Sequence, residues 1–247
     1  MRNVVVVGAS SGLGRLIGIG LAARGDRVAF LARREERLRA AAAEAGGDSM
    51  AIAVDVRDEA SVATAIDRAA SDLGSVEGLV YAAGAGHLAA LADTDATSWR
   101  GMLDVNVVGA SLCTRAALPQ LERSGGTAVF LSSVSASLTD PWPGLGAYAA
   151  TKAALDTMIR AWRVEHPSIG FTRVVVGDTA GGAGDSVTQF ADGWGAGEAT
   201  RYMPMWVDRG LMGAELIEPD DLVDAVDLVL GSRADIPSIS VVGRRSS

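Results

Sequence analysis

The chain has 247 residues, of which 49% are hydrophobic and 21% charged, a composition typical of a globular protein with one sizeable core. Its formal net charge of −8 argues against a broad nucleic-acid-binding surface, which needs a basic patch. The single cysteine, Cys113, excludes an internal disulfide and favours a reducing, cytoplasmic location, and no apolar run approaches the ~20 residues of a membrane span.

Predicted strands and helices alternate from end to end. Short β-branched runs predict seven strands, at 3–8, 27–32, 50–55, 76–83, 126–132, 171–177 and 238–243. Helices are predicted over 12–24, 34–45, 58–73, 95–123, 147–165 and 219–230. Uninterrupted Val, Ile and Ala runs are typical of strands buried on both faces. The pattern predicts an α/β fold in one domain over 1–247: a Rossmann-type, doubly wound parallel sheet with helices on both faces. Since the first strand begins at residue 3, we expect no signal peptide.

A long irregular segment is predicted at about 178–217. It combines many glycines with Trp194, Tyr202, Trp206 and three methionines. Loops of this length in compact domains are usually functional or disordered, and the aromatic content argues against simple disorder. We interpret the segment as a lid over a substrate; a dimer contact is the alternative.

The turn after the first strand carries the strongest local motif. "GASSGLG" supplies the cofactor-binding candidates Gly8, Ser10, Ser11, Gly12, Leu13 and Gly14. Glycines permit a tight turn and close approach to a pyrophosphate, and the helix N-terminus offers free N–H groups and a positive dipole end. The strand–turn–helix context predicts a dinucleotide site.

The same letters contain the G-x-S-x-G of a hydrolase nucleophile elbow, centred on Ser10. That alternative requires an upstream strand loop for the second oxyanion donor and a histidine partner. An elbow at residue 10 has no such loop, and the two histidines are His87 and His166, the latter at a predicted helix end. Both features disfavour the hydrolase interpretation.

The end of the second strand predicts which dinucleotide binds. An acid there suits the ribose hydroxyl of NAD, whereas arginine suits the 2′-phosphate of NADP. The sequence has Ala32 in place of the acid, followed by Arg33 and Arg34. A charged first helical turn, with Glu35 and Arg39 as an i,i+4 pair, is the alternative explanation. We favour NADP(H), with NAD(H) less expected, because guanidinium forks match phosphate geometry.

Over nearly its whole length the chain resembles a classical short-chain dehydrogenase/reductase. The matching stretches are "GASSGLG", "VDV" at 54–56, "VYAAG" at 80–84, "VNVVG" at 105–109, "FLSSVSA" at 130–136 and "YAATK" at 148–152. The resemblance implies an oxidoreductase of carbonyls or alcohols that assembles as a homodimer or homotetramer. It implies a catalytic set of Asn106, Ser133, Tyr148 and Lys152, and adenine contacts from Asp55 and Val56.

Lys152, the only lysine of the chain, lies four residues after Tyr148, so both share one helix face. A tyrosine, with a reference pKa of about 10, exchanges protons poorly at neutral pH. A fixed ammonium nearby lowers that pKa. In the family this lysine also hydrogen-bonds the nicotinamide ribose. The alternative is a core tyrosine and a surface lysine, which an otherwise complete use of arginine disfavours.

The resemblance leaves some positions open. It implies that Asn106 positions a water beside Lys152, although an ordinary helix asparagine is the alternative. Ser133 matches the family pattern but lies 15 residues before Tyr148, so Ser135 is held in reserve.

The chain also departs from the family pattern in two segments. The usual Asn-Asn-Ala-Gly is replaced by Tyr81, Ala82, Ala83 and Gly84, and the usual Pro-Gly after the sixth strand by Gly177 and Asp178. Ala82, Ala83, Gly84, Asp178 and Thr179 remain cofactor-binding candidates.

Two functions of different class follow. The first is an NADP(H)-dependent oxidoreductase with Tyr148 as acid/base, and the second is a catalytically idle NADP(H)-binding regulator on the same fold. The complete catalytic set favours the first, and the altered segments keep the second open. We expect a small-molecule substrate in an apolar pocket near Trp142, Trp194, Met205 and Trp206, with no metal, nucleic acid or membrane partner.

Overall fold

The computed structural model describes residues 1–179, 186–187, 190, 194–212 and 215–244. Its strands form one seven-stranded sheet in the order β3-β2-β1-β4-β5-β6-β7, with every pairing parallel. The strands are β1 Asn3–Val7, β2 Arg27–Ala32, β3 Met50–Ala53, β4 Gly78–Tyr81, β5 Thr127–Ser133, β6 Gly170–Val176 and β7 Ser238–Val241. The predicted doubly wound parallel sheet is confirmed.

The α-helices of the described residues are α1 Gly12–Ala23, α2 Glu35–Ala45, α3 Glu59–Leu73, α4 Ala96–Leu103, α5 Ala110–Ser124, α6 Val134–Ser137, α7 Gly146–Glu165, α8 Ala196–Asp208 and α9 Pro219–Gly231. Polar side chains cap three of these helices, α3, α4 and α6. The carboxylate of Asp58 accepts the backbone N–H groups of Ala60 and Ser61 at the start of α3, a cap worth about 1 kcal/mol. No helix in these ranges is long and apolar enough to cross a membrane.

Both faces of the sheet are buried, as the uninterrupted valines of β1 predict. Val5 and Val7 point to a core that includes α3, α5 and α7, whereas Val4 and Val6 point to a core that includes α1, α2 and α9. All four valines are fully buried. Since side chains alternate along a strand, only a continuous apolar run supplies both cores.

Two predicted segments differ from the structure. The helix predicted over 95–123 is divided: α4 ends at Leu103, a π-helical turn spans Asp104–Gly109, and α5 follows. The segment at 178–217 is not wholly irregular, because it contains α8. Pro204 lies inside α8 and, with several glycines nearby, conceals its helical period from the sequence.

The sheet order also locates the site. Strand order reverses between β1 and β4, and in such sheets ligands bind outside the carboxyl ends of the strands at that reversal. The turns after β1, β4 and β5 meet there.

Candidate active site

One cavity of about 790 Å³ lies at the carboxyl ends of the strands. The predicted site residues that line it are Gly8, Ser10, Ser11, Gly12, Leu13, Gly14, Arg33, Arg34, Asp55, Val56, Ala82, Ala83, Gly84, Ser133, Tyr148, Lys152, Asp178 and Thr179. Asn106 is not among the lining residues and lies behind them. The structure therefore brings together residues from every turn that the sequence singled out.

The glycines after β1 allow the backbone to pack closely. Gly8 has a φ of +86°, and a Cβ there would meet the backbone of Ala83 at 2.5 Å. A Cβ on Gly14 would come 2.5 Å from the carbonyl oxygen of Gly8. Side chains at these two positions would separate β1, α1 and the segment after β4, so the turn holds the N-terminus of α1 directly against the cavity.

The arginines after β2 occupy different places. Arg34 is half-buried, and its Nη2 donates to the hydroxyls of Ser10 and Ser11 at 2.8 and 3.0 Å. Arg33 is exposed at the cavity wall. The i,i+4 ion pair between Glu35 and Arg39 is also present, at 2.6 Å. The ion pair thus accounts for Glu35 and Arg39 but leaves Arg33 and Arg34 at the cavity.

Arg57 lines the same end of the cavity, and sequence reasoning missed it. Its guanidinium donates to the carboxylate of Asp55, with Nη2 to Oδ2 at 2.6 Å, and this hydrogen bond lowers the pKa of Asp55 to about 2. The signal in the sequence is a cation two residues after the predicted adenine contact, in "VDVRD". Asp55 is therefore a carboxylate whose charge is already compensated.

Asn106 holds the segment after β4 in place. Its side chain exchanges hydrogen bonds with the backbone N–H and C=O of Ala85, and it donates to Thr151 Oγ1, all at 2.8 Å. The side chain is fully buried, so it is not an ordinary asparagine on a polar helix face. Asn106 lies in the π-helical turn Asp104–Gly109, and such turns are frequent at functional sites.

Tyr81 also fastens this region. Its hydroxyl donates to the Val105 carbonyl oxygen at 2.6 Å, and burial raises its pKa. Ala82 N donates to the Val7 carbonyl oxygen at 2.9 Å. These bonds explain how the segment is held although Ala82 lacks the amide side chain of the family pattern.

The hydroxyl of Ser133 lies close enough to Tyr148 to lower the pKa of the phenol, and Ser133 Oγ lies 2.9 Å from Ser135 Oγ. Ser133 is thus the serine beside the tyrosine, whereas Ser135 is buried, hydrogen-bonds Ser133 and also lines the cavity. The 15-residue separation is accommodated by α6 and the turn-rich loop before α7.

Lys152 is buried under Tyr148. Its Nζ donates to the Leu131 carbonyl oxygen at 2.8 Å and lies 5.9 Å from the centre of the Tyr148 ring. Burial lowers the pKa of Lys152 to about 8, against an opposing effect of Asp156. It is not the surface lysine of the alternative interpretation.

The pKa of Tyr148 in the chain by itself is set mainly by burial. Burial raises it well above its usual value, and the Ser133 hydrogen bond offsets only part of the rise. The Nζ of Lys152 is directed to the Leu131 carbonyl oxygen, and the lowering of the Tyr148 pKa by this ammonium together with a bound nicotinamide stays a prediction.

Five aromatic rings form a continuous wall from Tyr148 outward. Successive centroids from Tyr148 to Phe190, Trp194, Trp206 and Trp142 are 4.8, 5.3, 5.9 and 5.4 Å apart. All five side chains line the cavity. Met203 also lines it, whereas Met205, expected there, packs in the cluster behind. This part of the cavity suits an apolar molecule.

After β6 the chain turns back under this wall. The Asp178 carbonyl oxygen accepts the N–H of Ile217 at 2.8 Å, and Thr179 forms a parallel bridge to the same residue. The predicted lid thus begins and ends side by side. Residues 180–185, 188–189, 191–193 and 213–214 of the lid prediction lie outside the described residues.

The donor set fits a dinucleotide. The turn before α1, with Ser10 and Ser11, offers phosphate ligands. A Cβ on Gly84 would come 3.7 Å from Asn106 Oδ1 and 3.8 Å from Lys152 Nζ, so glycine keeps the space above the ammonium open.

Comparison with known proteins gives consistent matches. Residues 2–189 match the family model of the short chain dehydrogenases. The chain is 34% identical over 182 residues to 11-beta-hydroxysteroid dehydrogenase A of Sesamum indicum, covering 71% of this chain and 52% of that relative. The chain thus spans about half of that relative's length.

Solved structures show the same fold. A short-chain type dehydrogenase/reductase from Mycobacterium ulcerans superposes with a TM-score of 0.83 at 25% identity, covering 99% of this chain and 90% of the other. An alcohol dehydrogenase from the archaeon Thermococcus sibiricus, complexed with 5-hydroxy-NADP, gives a TM-score of 0.80 at 24% identity over 98% of this chain and 96% of the other.

Proposed function

The chain belongs to the short-chain dehydrogenase family of oxidoreductases, and on that premise we propose that it transfers a hydride between NADP(H) and a carbonyl or secondary alcohol. One observation carries the proposal: Tyr148, Ser133 and Lys152 meet at one cavity with the glycine turn of α1. A proton donor, a hydroxyl to hold an oxygen and a dinucleotide turn in one cavity are the parts that this reaction needs.

Residues of the chain would hold the cofactor along the carboxyl edge of the sheet. Gly8, Ser10, Ser11, Gly12, Leu13 and Gly14 would take the pyrophosphate, Asp55 and Val56 the adenine, and Ala82, Ala83, Gly84, Asp178 and Thr179 the nicotinamide half. The proximity of these residues in one cavity supports this assignment. When bound, the nicotinamide supplies or accepts the hydride.

Arginines support NADP(H) over NAD(H). Ala32 offers no carboxylate to a ribose hydroxyl, and the nearby acid, Asp55, is already paired with Arg57. Arg33 is exposed at the cavity wall and would take the 2′-phosphate. Arg34 would act less directly, by orienting the hydroxyls of Ser10 and Ser11.

Proton transfer would take place at the hydroxyl of Tyr148. In reduction the substrate oxygen gains that proton while Ser133, which lines the cavity beside Tyr148, holds the oxygen. In oxidation the tyrosine takes the proton back. The high pKa keeps the phenol protonated at neutral pH in the chain by itself, which is the form that reduction needs. Lys152 retains two further N–H donors for the nicotinamide ribose.

Asn106 would shape the proton path rather than touch the substrate. Its bonds to Ala85 and Thr151 use its oxygen and both amide hydrogens, which leaves a carbonyl lone pair for the proposed water. That water would link Lys152 to solvent.

The substrate would be a small molecule with an apolar body. The five-ring wall beside Tyr148 favours such a molecule, and the sesame relative is described as acting on a hydroxysteroid. The segment 178–217 would act as the lid of the single domain. Part of the aromatic wall comes from α8 and from Phe190, and both lie within the segment 178–217.

Assembly and location belong to the same proposal. The exposed residues of α7 include four alanines, Ala150, Ala153, Ala154 and Ala161, which permit close helix packing. We propose a homodimer or homotetramer through α5 and α7, and a cytoplasmic location, in keeping with the buried free thiol of Cys113.

The test is turnover of NADPH with a panel of cyclic ketones, each paired with a carboxylated analogue. The proposal expects NADPH to be oxidised in the presence of the apolar ketones and not in the absence of a ketone. Cofactor binding without turnover of any ketone, or of the alcohols with NADP⁺, would favour the idle regulator.

A further inference from the structure

Four side chains of α7 follow one another at helical spacing: Tyr148, Lys152, Asp156 and Arg160. Residues four apart lie on the same helix face, one turn from each other. Lys152 and Asp156 are 4% and 5% exposed. The ammonium below the proposed proton donor therefore has a buried carboxylate one turn further along.

Asp156 is held by one partner and is otherwise unsatisfied. Arg173 of β6 donates its Nη1 to Asp156 Oδ2 at 2.8 Å. The other oxygen, Oδ1, is buried without a hydrogen-bond partner in the described part of the chain. A buried carboxylate is costly unless charge compensates it; Arg173 supplies an ion pair at 2.8 Å, and Lys152, one turn away on α7, is a second cation nearby.

The charge state of Lys152 in turn depends on Asp156. Burial disfavours the ammonium and brings the pKa of Lys152 down to about 8, and the charge of Asp156 opposes that fall. Without the carboxylate, Lys152 would lose its proton within the range in which the chain is expected to work.

The other charged groups around the pair are engaged elsewhere. Arg160 and Arg163 border the same small cavity as Asp156 and Arg173. Arg160 donates to Thr157 Oγ1 at 3.0 Å, and Arg163 donates to the Phe171 carbonyl oxygen at 3.1 Å and pairs with Asp235. Both lie two turns or more from Lys152. On its other side Lys152 faces the phenol of Tyr148, as well as the neutral Asn106 near Gly84.

We propose that Asp156 is a positioning residue of the active site: its buried carboxylate, held by Arg173 one turn along α7 from Lys152, keeps that lysine charged near Tyr148. Its importance for catalysis rests on the proposed function. Its effect on Lys152 does not, and can be measured without substrate or cofactor.

The sole lysine makes that measurement direct. Protein grown with lysine labelled with carbon-13 at Cε gives one lysine signal, whose chemical shift follows the charge of Lys152 as pH is raised. Asp156→Asn removes the opposing charge and leaves the burial, so the midpoint is expected to move down by about one pH unit or more. Asp156→Glu restores the charge and is expected to restore most of the midpoint.

Asp235→Asn is the matched control, because it removes the same charge from an exposed ion pair at the same edge. If Asp156→Asn does not fold, the double variant Asp156→Asn/Arg173→Gln replaces the whole pair by neutral amides. It too is expected to lower the midpoint, since Asp156 is the charged group whose effect opposes the fall of the Lys152 pKa. A midpoint within about 0.3 unit of wild type in Asp156→Asn, or in the double variant, overturns the proposal.

Turnover separates the two levels of the argument. If the protein reduces ketones, Asp156→Asn should shift the alkaline limb of the pH profile to lower pH by a similar amount. A shifted lysine titration in a protein that turns over nothing supports the charge coupling and contradicts the proposed function. An unshifted lysine titration in an enzyme that reduces ketones contradicts the charge coupling and supports the proposed function.

Discussion

Tyr148 and Arg33 carry the proposed chemistry at the scale of single residues, and each has a neighbour of the same type that serves as a control. Tyr202 is buried in the same aromatic cluster, and its hydroxyl has no hydrogen-bond partner among the described residues. Arg37, like Arg33, is exposed, but it does not line the cavity. Comparing the same substitution at the two members of each pair separates the effect of the functional position from the effect of losing a hydroxyl or a charge.

Tyr148→Phe removes the proton donor and keeps the ring that packs against Phe190. We expect ketone turnover to fall by about a hundredfold or more, with NADPH affinity nearly unchanged, because general acid catalysis contributes on that order. Steady-state kinetics and a binding titration measure the two effects. Tyr202→Phe should leave turnover near wild type, and retention of activity by Tyr148→Phe would contradict the mechanism.

Arg33→Ala removes the guanidinium assigned to the 2′-phosphate. NADPH should bind about tenfold or more weakly, the value of a charged hydrogen bond, while NADH binding stays unchanged. Arg34→Ala should weaken both dinucleotides, because Arg34 orients Ser10 and Ser11. Calorimetric titration of each variant with both dinucleotides measures these affinities. Arg37→Ala is the control and should bind both dinucleotides as wild type does. Equal weakening of NADPH and NADH by Arg33→Ala would show that Arg33 does not read the phosphate.

At the scale of elements, the site depends on close approach between the turn after β1 and the segment after β4. The sequence predicted the first turn well, because glycine spacing and a strand–turn–helix context are local signals. It did not predict how the second segment is held: Tyr81 and Asn106 make those bonds through a π-helical turn, which has no local signature. Helix α8 was missed for a related reason, since tertiary packing of Tyr202 and Trp206 stabilises a segment of poor local propensity.

Gly14→Ala tests the close approach. Its new methyl group would lie 2.5 Å from the Gly8 carbonyl oxygen, so we expect a loss of about 1–3 kcal/mol in the free energy of unfolding, and weaker dinucleotide binding. Gly101→Ala in α4, where a Cβ meets nothing within 4 Å, should instead be neutral or stabilising by about 0.5–1 kcal/mol. Urea unfolding measures both, and equal stabilities for the two variants would contradict the packing argument.

At the scale of the whole molecule, the fold class followed from the sequence, whereas strand order and assembly did not. The sheet buries β1 on both faces, which fixes a doubly wound fold whatever the side-chain details. Assembly depends on an outer surface of α5 and α7 whose small residues permit packing but do not require it. The same limit applies to Asp156, whose role depends on Arg173 from another element.

Ala154→Arg tests the proposed assembly, because a long charged side chain on the exposed face of α7 would prevent close helix contact. Wild type should have twice or four times the mass of the chain in solution, and the variant should be smaller. Light scattering after gel filtration measures the mass. Ala40→Arg on the exposed face of α2 should keep the wild-type mass, and a monomeric wild type would contradict the proposal.

The central claim is that the cavity binds NADP(H). Its most direct test is a titration of the wild-type protein with NADPH and with NADH, followed by energy transfer from tryptophan to the reduced nicotinamide. Trp142, Trp194 and Trp206 all line the cavity, so a bound nicotinamide should quench them. We predict saturable transfer with NADPH at concentrations at least about tenfold lower than with NADH. Saturation at equal concentrations would contradict the phosphate preference, and no transfer from either would contradict the dinucleotide site itself.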